Sequence, residues 1–190
     1  MVVRIDRVVT RGGDKGQTSL GDGSRISKSS RHIDAIGMLD EVNAVVGLLR
    51  AHVADTAPDL PAHLASIQNL LFDIGGDLCQ PEGSKHAKRL DGSIATAIEA
   101  EVERLRASQL PLTSFVLPGG SIPAAWAHLA RTTIRRAERS VVALTGETSI
   151  NPALIPILNR LSDYFFVLSR HLNENGKKDI LWQPGKPLFT

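Results

Sequence analysis

Residues Arg131 to Arg139 read RTTIRRAER and decide how the rest of the chain is arranged. Arg131, Arg135 and Arg139 are four residues apart, so an α-helix with 3.6 residues per turn places them on one face. An apolar stripe predicts that this helix packs on a core: Leu129, Ile134, Ala137 and Val141. The arginines then lie at the edge of the core, where their planar guanidinium groups can bind a polyanion. The alternative is a solvated basic face.

Apolar residues recur at intervals of three and four along four more segments, which predicts helices there. With the arginine helix at 123–144, the predicted helices cover 33–53, 61–79, 94–108 and 152–173. No segment shows the alternation of a half-buried strand. We therefore predict an all-α fold, a four- to five-helix bundle within one domain, 1–190. In it, residues 1–31 form an N-terminal loop, 32–175 the bundle and 176–190 an irregular tail.

The N-terminal loop contains a glycine-rich stretch, TRGGDKGQTSL, at residues 10–20. Glycines allow the backbone to approach a ligand and to point successive N–H groups at it. Hydroxyl and ammonium groups follow in Thr18, Ser19 and Lys28, so the stretch resembles a phosphate cradle. It is not a Walker A loop, because Gly16 precedes Gln17 where that motif requires lysine. An ordinary surface turn is the alternative.

Four other residues are candidates for function. Asp40 lies on a narrow polar face of helix 33–53, where it either accepts an arginine from a neighbouring helix or is solvated. Phe115 begins the run FVLPGG, an extended segment that ends in a tight turn, and it either joins the core, which we favour, or lines a pocket. Asn159 and Asp163 share a helix face and can reach ligand hydroxyls. Residues 80–92 are expected to form a mobile surface loop.

Composition excludes several classes of protein. Twenty-two basic and 20 acidic residues leave a net charge of +2, which does not favour nucleic-acid binding. Cys79 is the single cysteine, so no internal disulfide can form. No signal peptide and no apolar run of ~20 residues is present, so we expect a cytoplasmic protein without a membrane partner.

Five motifs occur in order: Thr-x-x-Gly-Asp-x-Gly-x-Thr-Ser-Leu, Gly-x-x-Asp-Glu-x-Asn, Leu-Pro-Gly-Gly, Arg-x-x-x-Arg-Arg-Ala-Glu-Arg and Leu-Asn-Arg-Leu-Ser-Asp-Tyr-Phe-Phe. Together they resemble the PduO-type ATP:cob(I)alamin adenosyltransferases, from about Val9 to Lys186. The departures are small, since Arg11 and Gly12 stand where the family commonly has Lys and Thr. The resemblance implies transfer of the 5′-deoxyadenosyl group of ATP to the cobalt of cob(I)alamin. A non-catalytic ATP-binding helical sensor and a structural module are the alternatives.

The resemblance further implies a homotrimer with active sites between subunits. The ATP-binding residues it implies are Thr10, Arg11, Gly12, Gly13, Thr18, Ser19, Lys28, Arg135, Arg136, Ala137, Glu138, Arg139 and Asn159. Asp40 would pair with Arg131 across the interface, and Phe115 would lie against the corrin ring where the lower ligand otherwise binds. With Arg135 these three make up the implied catalytic set. No side chain is assigned to a metal, because Mg²⁺ is carried by ATP. A cobalamin reductase and an adenosylcobalamin-dependent enzyme are the implied partners.

Overall fold

Five helices dominate the computed structural model, which describes residues 8–54, 57–80 and 89–188. They are α1 (Arg31–Val53), α2 (Leu60–Leu78), α3 (Ser93–Arg106), α4 (Ile122–Leu144) and α5 (Leu154–Leu172). Each predicted helix is confirmed, with ends within about two residues of the prediction. Helix α4 packs against α1 on one side and α5 on the other, α2 covers α1, and α3 covers α5. The all-α bundle is therefore confirmed.

Two serines begin the helices that carry the candidate site. Ser30 Oγ accepts a hydrogen bond from Ile33 N at 3.3 Å, and Ser121 Oγ accepts one from Ala124 N at 3.2 Å. Both satisfy N–H groups that have no partner in the first turn of a helix. The predicted start of α5 at Pro152 is wrong by two residues. Asn151 Oδ1 accepts from Ala153 N at 3.0 Å, so Asn151 caps a turn that precedes the helix.

The apolar stripe of α4 is confirmed at three positions and wrong at the fourth. Ile134, Ala137 and Val141 have no solvent exposure, whereas Leu129 is 43% exposed. Ala130 takes the buried position instead, because it lies four residues before Ile134 and Leu129 lies five. The core side of α4 thus faces away from Arg135, Arg136 and Arg139.

Short strands form in the N-terminal loop, before α4 and in the tail, where no strand was predicted. β1 (Gln17–Ser19) and β2 (Arg25–Ser27) make an antiparallel hairpin, and β3 (Val116–Leu117) pairs with β4 (Ile180–Leu181). Strands of two or three residues are too short to show alternation in a sequence. The N-terminal loop is therefore partly paired, and the tail is ordered by contact with the segment before α4. The extended segment before Pro118 is confirmed.

The predicted surface loop at 80–92 falls mostly on residues 81–88, which lie outside the described part. Its C-terminal end is held by Asp77, whose carboxylate accepts from Arg89 Nη1 at 2.5 Å, Leu90 N at 3.0 Å and Asn151 Nδ2 at 2.7 Å. Among the described residues, none of the helices is long and apolar enough to cross a membrane.

Candidate active site

The exposed face of α4 carries the arginine row. Arg135, Arg136 and Arg139 are all exposed. Arg136 forms an ion pair with Glu41 of α1, and Arg139 Nη1 donates to the backbone oxygen of Arg135 at 3.1 Å. The guanidinium of Arg135 has no carboxylate partner within the described ranges, so its charge is available to an anion.

Arg131, at the start of the row, has a different environment. It is half-buried, and its Nε is buried without a hydrogen-bond partner among the described residues. Burial lowers the pKa of the Arg131 guanidinium, and the positive charge of Arg135 lowers it further. Leaving a buried charged donor unsatisfied costs about 1–3 kcal/mol or more, and the described residues supply no acceptor for it.

Asp40 is not that acceptor within the same chain. It is exposed on α1 and makes no hydrogen bond or ion pair to any residue the structure describes. Its negative charge acts on the neighbouring Cys79, whose pKa is raised first by burial and then by Asp40. Among the described residues, Asp40 and the Nε of Arg131 are therefore both unpaired.

Glu138 and Asn159, predicted from separate motifs, are brought together. Asn159 Nδ2 of α5 donates to Glu138 Oε1 of α4 at 3.0 Å, and Asn159 Oδ1 accepts from Arg160 Nη1 at 2.5 Å. Asp163 instead pairs with Arg160 at 3.3 Å. Ala137 is fully buried. Its methyl group packs in the core and does not face solvent, and the implied ATP contact of Ala137 stays a prediction.

The glycine-rich turn near the N-terminus is folded in the free protomer. Thr10 Oγ1 accepts from Gly12 N at 3.5 Å, and Arg11 has a positive φ of 57°. A Cβ added to Gly13 would lie 2.8 Å from Lys28 Nζ, so the absence of a side chain lets this ammonium approach the turn. Thr18 is half-buried on β1, and Ser19 beside it is exposed.

Arg25 organises this turn, and sequence reasoning missed it. Its guanidinium donates to Ser19 Oγ at 3.0 Å, to Gly12 O at 2.7 Å and to Gln17 O at 3.1 Å. The available signal was the segment Gly21-Asp22-Gly23, a turn sequence between two short β-prone runs. Such a hairpin places Arg25 opposite Ser19.

Phe115 is exposed to 78%, so the favoured core position is wrong. It precedes β3, which pairs only with β4 at the surface, and its ring meets that of Trp182 edge-on at 6.0 Å. Trp182 N also donates to Phe115 O at 2.8 Å. Other exposed apolar side chains on these two strands are Leu117, Ile180 and Leu181. An apolar surface of this kind is typical of a binding site.

The turn from Pro118 to Ser121 links this apolar surface to α4. Gly120 has φ of 94°, and an added Cβ would lie 2.5 Å from Asn173 Nδ2. Asn173 is fully buried; it accepts from Ser121 N at 3.0 Å and donates to Gly119 O at 3.1 Å. The close approach of Asn173 therefore requires a glycine at position 120.

The two cationic parts of the candidate site are separate within one chain. Among the described residues, no hydrogen bond or ion pair joins the turn and hairpin at 10–28 to the arginine row at 131–139. A site that uses both needs either a ligand between them or a second copy of the chain.

The family model described as cobalamin adenosyltransferase matches residues 8–172. The chain belongs to this family. A cobalamin adenosyltransferase of Cupriavidus metallidurans is 45% identical over 95% of this chain and 96% of its own length. A corrinoid adenosyltransferase of Bacillus subtilis is 39% identical over 96% of this chain and 95% of its own length. The resemblance inferred from the five motifs is thus confirmed.

Solved structures agree with the cobalamin adenosyltransferase assignment. A phenylalanine-to-histidine variant of the PduO-type ATP:corrinoid adenosyltransferase of Lactobacillus reuteri, complexed with cobalamin and ATP, is 33% identical with a TM-score of 0.89. The alignment covers 94% of this chain and 97% of that one. An arginine-to-lysine variant complexed with ATP is 34% identical, with a TM-score of 0.86 over 93% of this chain and all of that one.

Proposed function

We propose that this chain transfers the 5′-deoxyadenosyl group of ATP to the cobalt of cob(I)alamin and releases triphosphate. The observation that carries the proposal is the match, at 45% identity and over nearly the whole length, to a cobalamin adenosyltransferase. The described surface supports it with the two kinds of binding surface that the reaction needs. Exposed cations suit a triphosphate, and the apolar surface around Phe115 suits a corrin ring.

The proposed reaction is a displacement at carbon. The cobalt electron pair forms a bond to the 5′ carbon of ATP, the bond from that carbon to oxygen breaks, and its electrons leave on triphosphate. No proton is removed from the nucleophile, so no protein base is required. The protein has to align the two substrates and to stabilise the negative charge that accumulates on the leaving group.

Residues of the N-terminal loop and of α4 are proposed to hold the nucleotide. Arg135 and Lys28 supply charge to the triphosphate, and Mg²⁺ enters with ATP as part of the substrate. Thr10, Thr18 and Ser19 add hydroxyl groups. Asn159 is held by Glu138 at 3.0 Å, which favours a role in orienting the nucleotide. The open guanidinium of Arg135 is the strongest support for this assignment.

We propose a homotrimer in which Asp40 of one protomer pairs with Arg131 of the next. Two observations support it: among the described residues, the buried Nε of Arg131 lacks an acceptor, and Asp40 is exposed without a partner. Such a pair removes the cost of an unsatisfied buried donor. Asp40→Asn and Arg131→Lys should both weaken the oligomer, which sedimentation velocity measures.

Phe115 is proposed to exclude water and a lower ligand from cobalt. A four-coordinate cob(II) centre is more easily reduced than one with a fifth ligand. Trp182 holds the Phe115 backbone through its N–H at 2.8 Å and supports the ring at 6.0 Å. Phe115→Ala should therefore reduce turnover that starts from cob(II)alamin far more than ATP affinity. Equal losses in both would contradict this role.

The test of the activity mixes the protein with MgATP and chemically reduced cobalamin in the absence of oxygen. The expected result is the adenosylcobalamin spectrum together with one equivalent of triphosphate. ATP binding without either product would favour the sensor alternative. No ATP binding, with Arg135→Ala weakening the oligomer, would favour the structural module.

We further propose a cytoplasmic location, because cob(I)alamin survives only under strongly reducing conditions. A reductase that supplies electrons to cob(II)alamin and an enzyme that uses adenosylcobalamin are the partners this chemistry calls for.

A further inference from the structure

Arg25 ties together three parts of the N-terminal loop with a single side chain. It lies opposite Ser19 in the β1–β2 register, and its Nη1 donates to Ser19 Oγ at 3.0 Å. Its Nη2 donates to Gly12 O at 2.7 Å and to Gln17 O at 3.1 Å. The planar fork of arginine can make such divergent bonds at once, and the point charge of lysine cannot reproduce them.

These bonds determine which way the Ser19 hydroxyl points. An arginine has only donors, so a hydroxyl that accepts from Arg25 cannot donate back to it. The O–H of Ser19 must therefore be directed elsewhere, and the exposed position of Ser19 leaves it open to a ligand. A free Ser19 hydroxyl can donate or accept a hydrogen bond. The bond from Arg25 occupies it as an acceptor, so that its O–H is left to donate to an anion.

The same reasoning applies to the glycine turn. Gly12 O and the N–H of Gly13 belong to one peptide, and no cis peptide bond occurs in the described chain. In a trans peptide the carbonyl and the N–H point in opposite directions. Because Arg25 holds Gly12 O on its own side, the N–H of Gly13 faces away from Arg25, and Lys28 Nζ also approaches Gly13.

We propose that Arg25 is a positioning residue for the triphosphate of ATP, acting through Ser19 and the Gly12–Gly13 peptide. This inference rests on the function proposed above, and it concerns binding of the leaving group alone. Arg25 touches neither the corrin nor the adenosyl carbon in this scheme.

The hairpin itself does not depend on Arg25. Backbone pairing joins Gln17 to Ser27 and Thr18 to Ile26, and Lys28 N donates to Gly16 O at 2.9 Å. Removing an exposed side chain usually changes stability by less than about 0.5 kcal/mol. A variant at Arg25 should therefore keep its fold and lose nucleotide affinity.

The experiment compares Arg25→Lys with a matched control, Arg104→Lys, in the full chain. Arg104 is an exposed arginine on α3 that pairs with Glu101 at 2.7 Å, outside the proposed site. We expect Arg25→Lys to raise KM for ATP and the inhibition constant of inorganic triphosphate about tenfold, as the loss of one charge-assisted hydrogen bond would. KM for cob(I)alamin and kcat at saturating ATP should stay within about twofold of the parent values. Tm should stay within a few degrees of the parent. Arg104→Lys should change none of these quantities.

A double-mutant cycle with Ser19→Ala separates positioning from simple charge. If Arg25 acts through Ser19, Ser19→Ala should cost much less in the Arg25→Lys background than alone. Additive effects, an unchanged KM for ATP in Arg25→Lys, or equal rises in both KM values would overturn the proposal. Direct calorimetry of triphosphate binding gives the same readout without turnover. Failure of the proposed function looks different, because the parent protein itself would then form no adenosylcobalamin.

Discussion

Two turns flank the candidate site, and they are built in opposite ways. The turn at 118–121 is held by Asn173, which is fully buried, and next to it Arg170 pairs with Asp179 at 2.7 Å with both side chains almost entirely buried. The glycine turn in the N-terminal loop is tied to the β1–β2 hairpin by Arg25, which is exposed.

The difference teaches how the two binding surfaces are prepared. Breaking a buried, hydrogen-bonded pair of charges is strongly destabilising, so the apolar surface around Phe115 is set before any ligand arrives. Exposed hydrogen bonds are each worth much less, so the glycine turn can adjust around a polyanion at small cost. Substitutions near the turn at 118–121 should therefore lower the free energy of unfolding, and substitutions on the cationic surfaces should lower activity.

The largest expected effect is a loss of activity on substitution of the exposed Arg135. Arg135→Ala should lower kcat/KM for ATP by about a hundredfold, because a contact that stabilises developing charge is worth about 3 kcal/mol. Tm and the oligomeric state should not change, since Arg135 is exposed and lacks a carboxylate partner in the described structure. Arg106→Ala on α3, which removes an exposed ion pair with Glu103, is the matched control. Steady-state kinetics measures the activity, and sedimentation velocity measures the oligomeric state. Dissociation of the Arg135→Ala oligomer would contradict the separation of ATP binding by Arg135 from oligomer contacts.

The next effect is on folding. Gly120→Ala should lower the free energy of unfolding by about 2–3 kcal/mol, because alanine is strained at a positive φ and its Cβ meets Asn173. Urea denaturation measures the change. Gly76→Ala is the control, since Gly76 is helical and an added Cβ meets nothing within 4 Å. A tolerated Gly120→Ala would mean that the turn is not fixed by Asn173.

A feature of the structure can be predicted from the sequence when the residues that determine it are close together along the chain. The helices were predictable because apolar spacing repeats within a few residues. The contacts of Arg25 with Gly12 and of Ser121 with Asn173 join residues 13 and 52 positions apart, and no local pattern encodes them. Phe115 was misjudged because a large apolar side chain is usually buried, and its exposure follows only from the pairing of β3 with β4. The pairing of Asp40 with Arg131 stays a prediction.

A smaller effect concerns pH. His128 lies on α4 with 1% exposure, and neither ring nitrogen has a partner in the described structure. Burial lowers its pKa, Arg131 lowers it further, and Asp179 opposes both. The folded state therefore binds fewer protons than the unfolded state, so stability is complete above the unfolded pKa of about 6.5 and falls as the pH drops below it.

His128→Leu should remove this slope, which is at most about 1.4 kcal/mol per pH unit for one group. The measurement is the free energy of unfolding from pH 7 to pH 5 for the parent and the variant. Parallel curves for the parent and His128→Leu would show that the buried ring does not govern acid stability.

The smallest effect returns to the comparison of the two turns. Gly23, between β1 and β2, has a φ of 85°, close to that of Gly120, but an added Cβ meets nothing within 4 Å. Gly23→Ala should therefore cost only the backbone strain, about 1 kcal/mol, which is at most half of the loss expected for Gly120→Ala. An equal loss of unfolding free energy in the two alanine variants would mean that backbone strain alone sets the cost. Burial of the surrounding groups would then not make the turn at 118–121 more rigid than the N-terminal one.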